Sequence, residues 1–172
     1  MRYISYYLTE PFKWLRHDLP TGISNLIRWF PTIWSDRNWD HTFIYMMLRN
    51  KLKNQEQYIR KYGIHLYAER DADNMKVCIL LLDRLIEDNY HVMAFKRHDE
   101  KWGEANMTWP DYDAKPGYSI LKIDRPNVNT EKEKAQERKE FRTCSKHEGY
   151  LIQQDLDLLF KTMRKHIQAW WD

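Results

Sequence analysis

The stretch WSDRNWDHTFIYMMLRNKLKNQEQYIRKY, residues 34–62, decides the fold because a polar, aromatic entry leads into a long helical period. Side chains recur there at alternating three- and four-residue spacings, which places them on one helix face: Tyr45, Leu48, Leu52, Gln55, Ile59 and Tyr62. Asp36 or Asp40 caps the start, since a carboxylate accepts hydrogen bonds from free backbone N–H groups, and Gly63 suits a left-handed residue at the end. The stretch predicts a helix of about twenty residues.

The composition of the chain favours one helical domain. Its 172 residues suffice for one core, and five glycines argue against a fold with many tight turns. The formal charge of +3, from 28 basic and 25 acidic residues, is too small to imply nucleic acid. Two cysteines, Cys78 and Cys144, form neither a metal spacing nor a disulfide framework and indicate a reducing cytoplasm. Without a secretory signal or an apolar run of about twenty residues, we expect no export and no membrane span.

The aromatic-rich N-terminal segment is divided by prolines into short helices, at about residues 10–18 and 21–30. The second should end before Pro31, because proline disfavours helical geometry in the residue that precedes it. We expect six apolar side chains of this segment to pack on the helix of the 34–62 stretch: Trp14, Leu15, Ile23, Leu26, Ile27 and Phe30. The alternative is an anchor lying in the plane of a membrane, which uses the same residue types.

After the 34–62 stretch, the sequence predicts a helix at about 71–89, and the apolar run 77–82 indicates that this helix is central. The Pro and Gly residues of 95–129 predict an irregular insertion or lid, with a short hairpin in 118–123. Thr130 should cap a helix whose acids and bases form a solvated surface. Gly149 should end the helix that Thr130 caps. A final amphipathic helix at 150–171 should then bury Trp170 and dock the end of the chain against the bundle. The predicted fold is mainly α, a single-domain irregular helical bundle spanning 1–172.

Three groups of residues are candidates for ligand binding. In the helix entry, Trp34 and Trp39 could stack on a base while Arg37 binds a phosphate. The alternative is that these residues only cap the helix and fill the core. At the junction of the two long helices, His65 and Arg70 could make polar contacts in a pocket, and a metal site with Asp71 is disfavoured because acids at a helix start serve as caps.

The third candidate group is Lys101 and Trp102, which could close over a ligand as a lid, or which pin a loop to the surface. The HEG at 147–149 lacks the second histidine of a zinc-protease helix, and the sequence contains neither a glycine-rich phosphate loop nor a nucleophile elbow. We therefore expect a binding protein without catalytic residues, metal or cofactor.

Four segments carry a resemblance to known proteins: WSDRNWDHTFIYMMLRNKL at 34–52, RDADNMKVCILLLDRLIEDNY at 70–90, KWGE at 101–104 and DLDLLFKTMRKHIQAWWD at 155–172. They resemble a family of small tailed-bacteriophage proteins that share a W-x-D-R-x-W-D helix entry, a helix ending L-I-x-D-x-Y and a terminal W-W-D. The resemblance covers roughly residues 20–104 and 155–172. It implies a phage accessory protein that works in the host bacterial cytoplasm.

This origin suggests a function by analogy. One class of small phage proteins counters bacterial defence by sequestering nucleotide immune signals in basic, aromatic pockets, and this chain is similar to that class in size and in its Trp- and Arg-rich composition. The first hypothesis is therefore a sponge for an ADP-ribose-type or cyclic nucleotide. The alternative is a protein that binds a host or phage protein, or nucleic acid, through its basic aromatic N-terminal half. Either protein could be a homo-oligomer.

Overall fold

Helices account for most of the structure, and one short hairpin lies among them. The computed structural model describes residues 14–36, 40–63, 65–110 and 117–170. Within these ranges the α-helices are α1 (Leu19–Trp34), α2 (Thr42–Tyr62), α3 (Ala68–Glu87), α4 (Tyr90–Trp102) and α5 (Glu131–His166). Between α4 and α5 lie the strands β1 (Asn106–Thr108) and β2 (Lys122–Asp124). A π-helical turn (Trp14–Asp18) precedes α1, and a 3-10 turn (Ile167–Ala169) follows α5.

Helix α2 corresponds to the periodic stretch of the sequence. The Asp40 carboxylate accepts a hydrogen bond of 2.8 Å from the Thr42 N–H, which confirms the predicted cap and lowers the pKa of Asp40. Gly63 ends the helix, but its backbone is extended (φ −65°, ψ 124°), so the predicted left-handed conformation is wrong. Glycine is needed for space instead, because a Cβ there would lie 2.5 Å from the Ile59 carbonyl oxygen.

The core lies where α2, α3 and α5 meet. Leu52 and Ile59 of α2 are buried, and Tyr45 and Leu48 pack beside them as their spacing predicts, whereas Tyr62 is exposed. The buried side chains of α3 are Asp71, Ala72, Met75, Cys78, Ile79, Leu81, Leu82 and Leu85. Helix α3 is therefore central, as predicted, and the protein is a mainly α-helical single-domain bundle.

Helix α5 runs unbroken for 36 residues, so the prediction of two helices separated by Gly149 is wrong. A glycine inside a helix costs only about 1 kcal/mol relative to alanine, and packing on both sides of Gly149 exceeds that cost. Leu159 on the C-terminal side is fully buried in the core. The predicted cap is confirmed, since Thr130 Oγ1 accepts a hydrogen bond from the Glu133 N–H while the Glu133 carboxylate accepts one from the Thr130 N–H.

The end of α5 is held against α2. Trp170 is 2% exposed, which confirms its predicted burial, and its carbonyl oxygen accepts a hydrogen bond from the Gln55 side chain. This contact joins residues 115 positions apart in the chain. Trp171 and Asp172, which we expected to dock with it, lie outside the described residues.

The predicted irregular insertion at 95–129 begins too early. Residues 95–102 belong to α4, because Phe95, His98 and Trp102 pack a helical face against α5. Beyond it, β1 and β2 pair antiparallel with Met107 opposite Ile123, so the hairpin uses only part of the predicted 118–123 segment. The loop after β2 returns to α4, where the Asn127 N–H donates to the Trp102 carbonyl oxygen at 3.2 Å.

Helix α1 differs most from expectation. It passes through Pro31 and ends at Trp34, so the predicted end before the proline is wrong. Pro31 lacks the N–H that would bond to the Ile27 carbonyl oxygen, and its ring crowds that carbonyl, yet the helix continues. At the end of the helix, Ser35 Oγ donates to the Thr32 carbonyl oxygen at 3.0 Å. None of the α1 residues is buried, so the expected packing of its apolar side chains on α2 is also wrong. Among the described helices, none has the length and apolar character needed to cross a bilayer.

Candidate functional site

The predicted ligand residues lie at several places. Trp34 ends α1 with 75% of its surface exposed, and its ring lies 5.2 Å from that of Phe30. Arg37 and Trp39, its predicted partners in a stacking and phosphate site, lie outside the described residues. The pocket proposed for the helix entry therefore remains a prediction.

His65 and Arg70 converge on one buried carboxylate. His65 Nε2 lies 3.3 Å from Asp71 Oδ2, and both Arg70 Nε and a terminal guanidinium nitrogen donate to Asp71 Oδ1 at 3.2 Å. Asp71 is 1% exposed, and the Arg70 guanidinium also lies 4.1 Å from the centre of the Tyr67 ring. The Asp71 carboxylate engages polar groups of both side chains, which leaves fewer of them for a phosphate. No group of three or more potential metal ligands occurs among the described residues.

Lys101 and Trp102 occupy the last turn of α4, so the lid interpretation is wrong for both. Trp102 is 5% exposed, and its indole N–H donates to Glu140 at 2.7 Å. Lys101 Nζ lies 2.6 Å from the same carboxylate. The hydrogen bond from Lys101, followed by those from Trp102 and Gln136, lowers the pKa of Glu140 to about 2. These residues pin α4 to α5, which is the alternative that the sequence left open.

A different site lies between β2, the loop that follows it and the first half of α5. A groove of about 620 Å³ opens there, a volume within the usual range of small-molecule sites. Its walls combine three cations, one aromatic ring and two carboxylates: Lys134, Arg138, Arg142, Phe141, Asp124 and Glu137. The sequence did not identify this groove, because its two walls come from separate segments of the chain.

The floor of the groove is internally paired. Arg125, whose side chain is 6% exposed, donates to Asp99 at 2.7 Å and to the Gly103 carbonyl oxygen at 2.5 Å. Its Nε lies 2.9 Å from Glu137 of α5. Gly103 allows this close approach, because a Cβ there would lie 2.4 Å from Pro126 Cγ. Arg125 therefore holds β2 against α4 and α5 and fixes the shape of the groove.

The outer wall carries the cations that remain available. Arg138 and Arg142 are one helical turn apart, and neither forms an ion pair with another residue in the part of the chain that the structure describes. No acid stands three or four residues from either arginine, and the nearby Glu137 and Glu140 form ion pairs with Arg125 and Lys101. Lys134, one turn earlier, forms a pair with the exposed Glu131 at 2.8 Å.

An aromatic ring lines the groove beside the two arginines. Phe141 is 38% exposed, and its inner side packs on Phe95 with ring centres 5.1 Å apart. This packing holds the ring while leaving one side toward the groove. Arginine offers a planar fork to phosphate oxygens, and an aromatic ring offers a stacking plane for a base. The arrangement is suited to an anionic ligand that carries a flat ring.

A buried histidine lies behind this wall. The His98 side chain is 1% exposed, with Nδ1 3.6 Å from Asp99 and Nε2 3.6 Å from Glu137. Its ring contacts Phe95 and Phe141 edge-on, at 5.7 and 6.1 Å between centres. His98 therefore packs beneath the groove and supports Phe141 without lining the groove itself.

Comparison with protein-family models, with curated proteins and with solved structures finds no match to this chain.

Proposed function

We propose that this protein is a phage accessory protein that binds and sequesters a nucleotide immune signal of the host, of ADP-ribose or cyclic-nucleotide type, in the groove of β2 and α5. The single observation that carries the proposal is the pair Arg138 and Arg142, unpaired within the described chain and lining one groove with the partly exposed ring of Phe141. Two guanidinium groups one turn apart suit two phosphates, and the ring beside them suits a base.

The magnitudes support retention of such a ligand. Charge-assisted hydrogen bonds contribute roughly 1.5 to 3 kcal/mol each, and stacking roughly 1 to 3 kcal/mol per base. Because Arg125 and its partners fix the groove before a ligand arrives, little binding energy is lost in ordering it. Asp124 in the wall adds an acceptor for ribose hydroxyl or base amino groups.

Two sequence observations support the phage origin and the host cytoplasm. The segments 34–52 and 155–172 resemble tailed-phage proteins. Cys78 and Cys144 are both free, which is usual in a reducing compartment.

The test is to incubate the protein with cyclic ADP-ribose isomers and cyclic dinucleotides, remove free ligand, and heat the protein to release what it retained for mass spectrometry. We expect one of these nucleotides to be recovered intact. The variant R138E/R142E should weaken binding of that nucleotide by at least about 100-fold, the effect of losing two charge-assisted bonds.

The matched control is K161E/K165E, which makes the same charge change at the same spacing on the same helix, near its C-terminal end. It should bind as the wild type does. If the wild-type protein retains none of the nucleotides, the proposed function is wrong. If both double variants lose binding equally, the effect is one of net charge, and the groove is not the site.

A second candidate is partner binding through the N-terminal half, and the exposed apolar face of α1 favours it. This face favours a protein over nucleic acid, because Arg28 is the one basic residue in α1. Binding to nucleic acid would weaken steeply between roughly 50 and 200 mM salt. Fluorescence anisotropy with labelled DNA and RNA across that range therefore distinguishes a nucleic-acid partner from a protein partner.

A further inference from the structure

Helix α1 is strongly one-sided and lies outside the core. At 100° per residue its apolar side chains fall within one half of the helix surface, and its polar ones fall on the other half. The apolar face is formed mainly by Ile23, Leu26, Ile27, Phe30, Ile33 and Trp34. No α1 residue belongs to the core cluster of the described chain. Within the described residues, α1 contacts the turn that precedes it and helix α2, and most of its apolar side chains remain exposed.

The exposure of this face is large. Leu26 and Ile27 at the middle of the helix are each 71% exposed, and Trp34 at its end is 75% exposed. The six side chains together expose on the order of 700 Å², more than most monomers show in one patch and close to the roughly 800 Å² that each partner buries in a stable interface. The area of the face fits one protein partner of standard size.

We propose that the apolar face of α1 pairs with the same face of a second copy of this chain. Two copies of a protein with a formal charge of +3 repel each other, so their contact should be poor in charge. Arg28 is the one charged residue in α1, and it points away from the apolar face. A pair related by a two-fold axis thus buries apolar surface without burying a charge.

The polar side of α1 favours a second copy over a lipid surface. Helices that lie in a membrane interface attract lipid headgroups through a polar face rich in lysine and arginine. In α1 that side carries mostly uncharged groups, such as Ser24, Asn25 and Thr32. Within α1, therefore, Arg28 alone supplies the electrostatic attraction that an in-plane anchor needs.

The pairing has a definite geometry. The 16 residues of α1 span about 24 Å. In an antiparallel pair the axis passes near Leu26 and Ile27, and Trp34 of each copy lies toward the start of the other helix. Side chains near the axis meet their own counterparts, whereas Arg28 faces solvent.

The first experiment measures molar mass by light scattering and sedimentation over a range of protein concentrations. We expect the wild type to have twice the 21.2 kDa mass of one chain. The variant L26E/I27E should be monomeric, with dimerisation weakened at least 100-fold. The control S24E/N25E places two adjacent glutamates on the polar side of the same helix and should remain a dimer. Circular dichroism should show an unchanged fold in both, because the substituted residues are exposed.

The second experiment tests the geometry in a Cys144→Ser background, where the remaining Cys78 is buried. A short bis-maleimide should cross-link Ile27→Cys into a covalent dimer and leave Arg28→Cys uncoupled. Equal cross-linking of the two would overturn the proposed pairing.

Three further results would also overturn it. The first is a wild type that is monomeric at every concentration, which would mean that residues 1–13 or another partner cover α1. The second is a dimer that L26E/I27E leaves intact, since the contact would then lie elsewhere. The third is a monomer that floats with phosphatidylcholine and phosphatidylglycerol vesicles unless Leu26 and Ile27 are replaced, which would assign the face to lipid.

Discussion

A buried hydrogen bond joins the start of α4 to the middle of α5, and its removal is a sharp test of the fold. The Tyr90 hydroxyl donates to Asp155 Oδ2 at 2.6 Å, and the two residues are 2% and 3% exposed. Arg84 Nε lies 3.0 Å from the same oxygen, but its side chain is 49% exposed. Tyr90→Phe keeps the ring and removes only the hydroxyl group.

The expected loss follows from this geometry. A hydrogen bond to a charged group contributes about 1.5 to 3 kcal/mol, and a half-exposed ion pair less than about 1 kcal/mol, so Arg84 compensates only in part. We expect the free energy of unfolding to fall by about 2 kcal/mol. For a domain of this size that corresponds to a decrease in Tm of about 4 to 8 °C.

The assay is urea denaturation followed by circular dichroism, with Tyr150→Phe as the control. Tyr150 is 61% exposed, so removing its hydroxyl should change the free energy of unfolding by less than about 0.5 kcal/mol. A double-mutant cycle of Tyr90→Phe with Asp155→Asn then isolates the coupling between the two side chains. A loss below 0.5 kcal/mol for Tyr90→Phe, or no coupling in the cycle, would refute the reasoning.

The same bond has a pH dependence of known sign. Burial, reinforced by the bond to Asp155, raises the pKa of Tyr90 above its ordinary value. The folded state therefore favours the neutral phenol, and this contribution is fully present below about pH 10 and is lost as the pH rises further. The difference in stability between the wild type and Tyr90→Phe should thus shrink above about pH 10.

Three other predictions concern single residues. Because its partners lower the pKa of Glu140 to about 2, its contribution is present above about pH 4.5 and is lost as the pH falls toward 2, so Glu140→Gln should flatten the acid limb of a stability profile. Gly63→Ala should destabilise by about 1 to 3 kcal/mol in urea denaturation, because its Cβ would meet the helix backbone, whereas Gly149→Ala, with open space around it, should stabilise by about 0.5 to 1 kcal/mol. Trp170→Ala should cost about 3 to 5 kcal/mol by the same measurement, since the side chain is buried.

Contrary outcomes are equally specific. An unchanged acid limb in Glu140→Gln would mean that Lys101 and Trp102 do not hold that carboxylate in solution. Equal effects of the two glycine substitutions would contradict the close approach at Gly63. A stable Trp170→Ala variant would show that the end of α5 does not dock against α2.

The sequence by itself determined the helical class, the inner faces of the long helices and two of their caps. Leu52 and Ile59 recur at helical spacing, and both are buried in the core. The spacing of apolar residues is a local property of the sequence, and it predicts which face of a helix is buried. Asp40 and Thr130 cap helices through side chains that reach backbone N–H groups two or three residues away. Such features depend on neighbours in the chain, so they can be predicted without knowledge of the fold.

Helix boundaries were less predictable, because the free-energy penalty of a glycine or proline in a helix competes with the packing and hydrogen bonds of the residues around it. Gly149 and Pro31 both disfavour a helix, yet each lies inside one. The penalty at a single residue is about 1 to 3 kcal/mol, and the hydrogen bonds and packing of a continuing helix offset it. The penalty of a single glycine or proline can be predicted from the sequence, whereas the packing that offsets it depends on the tertiary structure.

The candidate groove was decided by tertiary structure alone. Along the sequence, Glu137 stands three residues from Lys134, a spacing that predicts a local ion pair on a solvated helix, whereas no base stands three or four residues from Glu140. In the fold, Arg125 forms an ion pair with Glu137, and Lys101 forms one with Glu140. Ion pairs depend on distance in space, so these partners from remote segments could not be predicted from the sequence. The fold also places Arg138 and Arg142, which have no acid three or four residues away, beside a cavity that the sequence does not reveal.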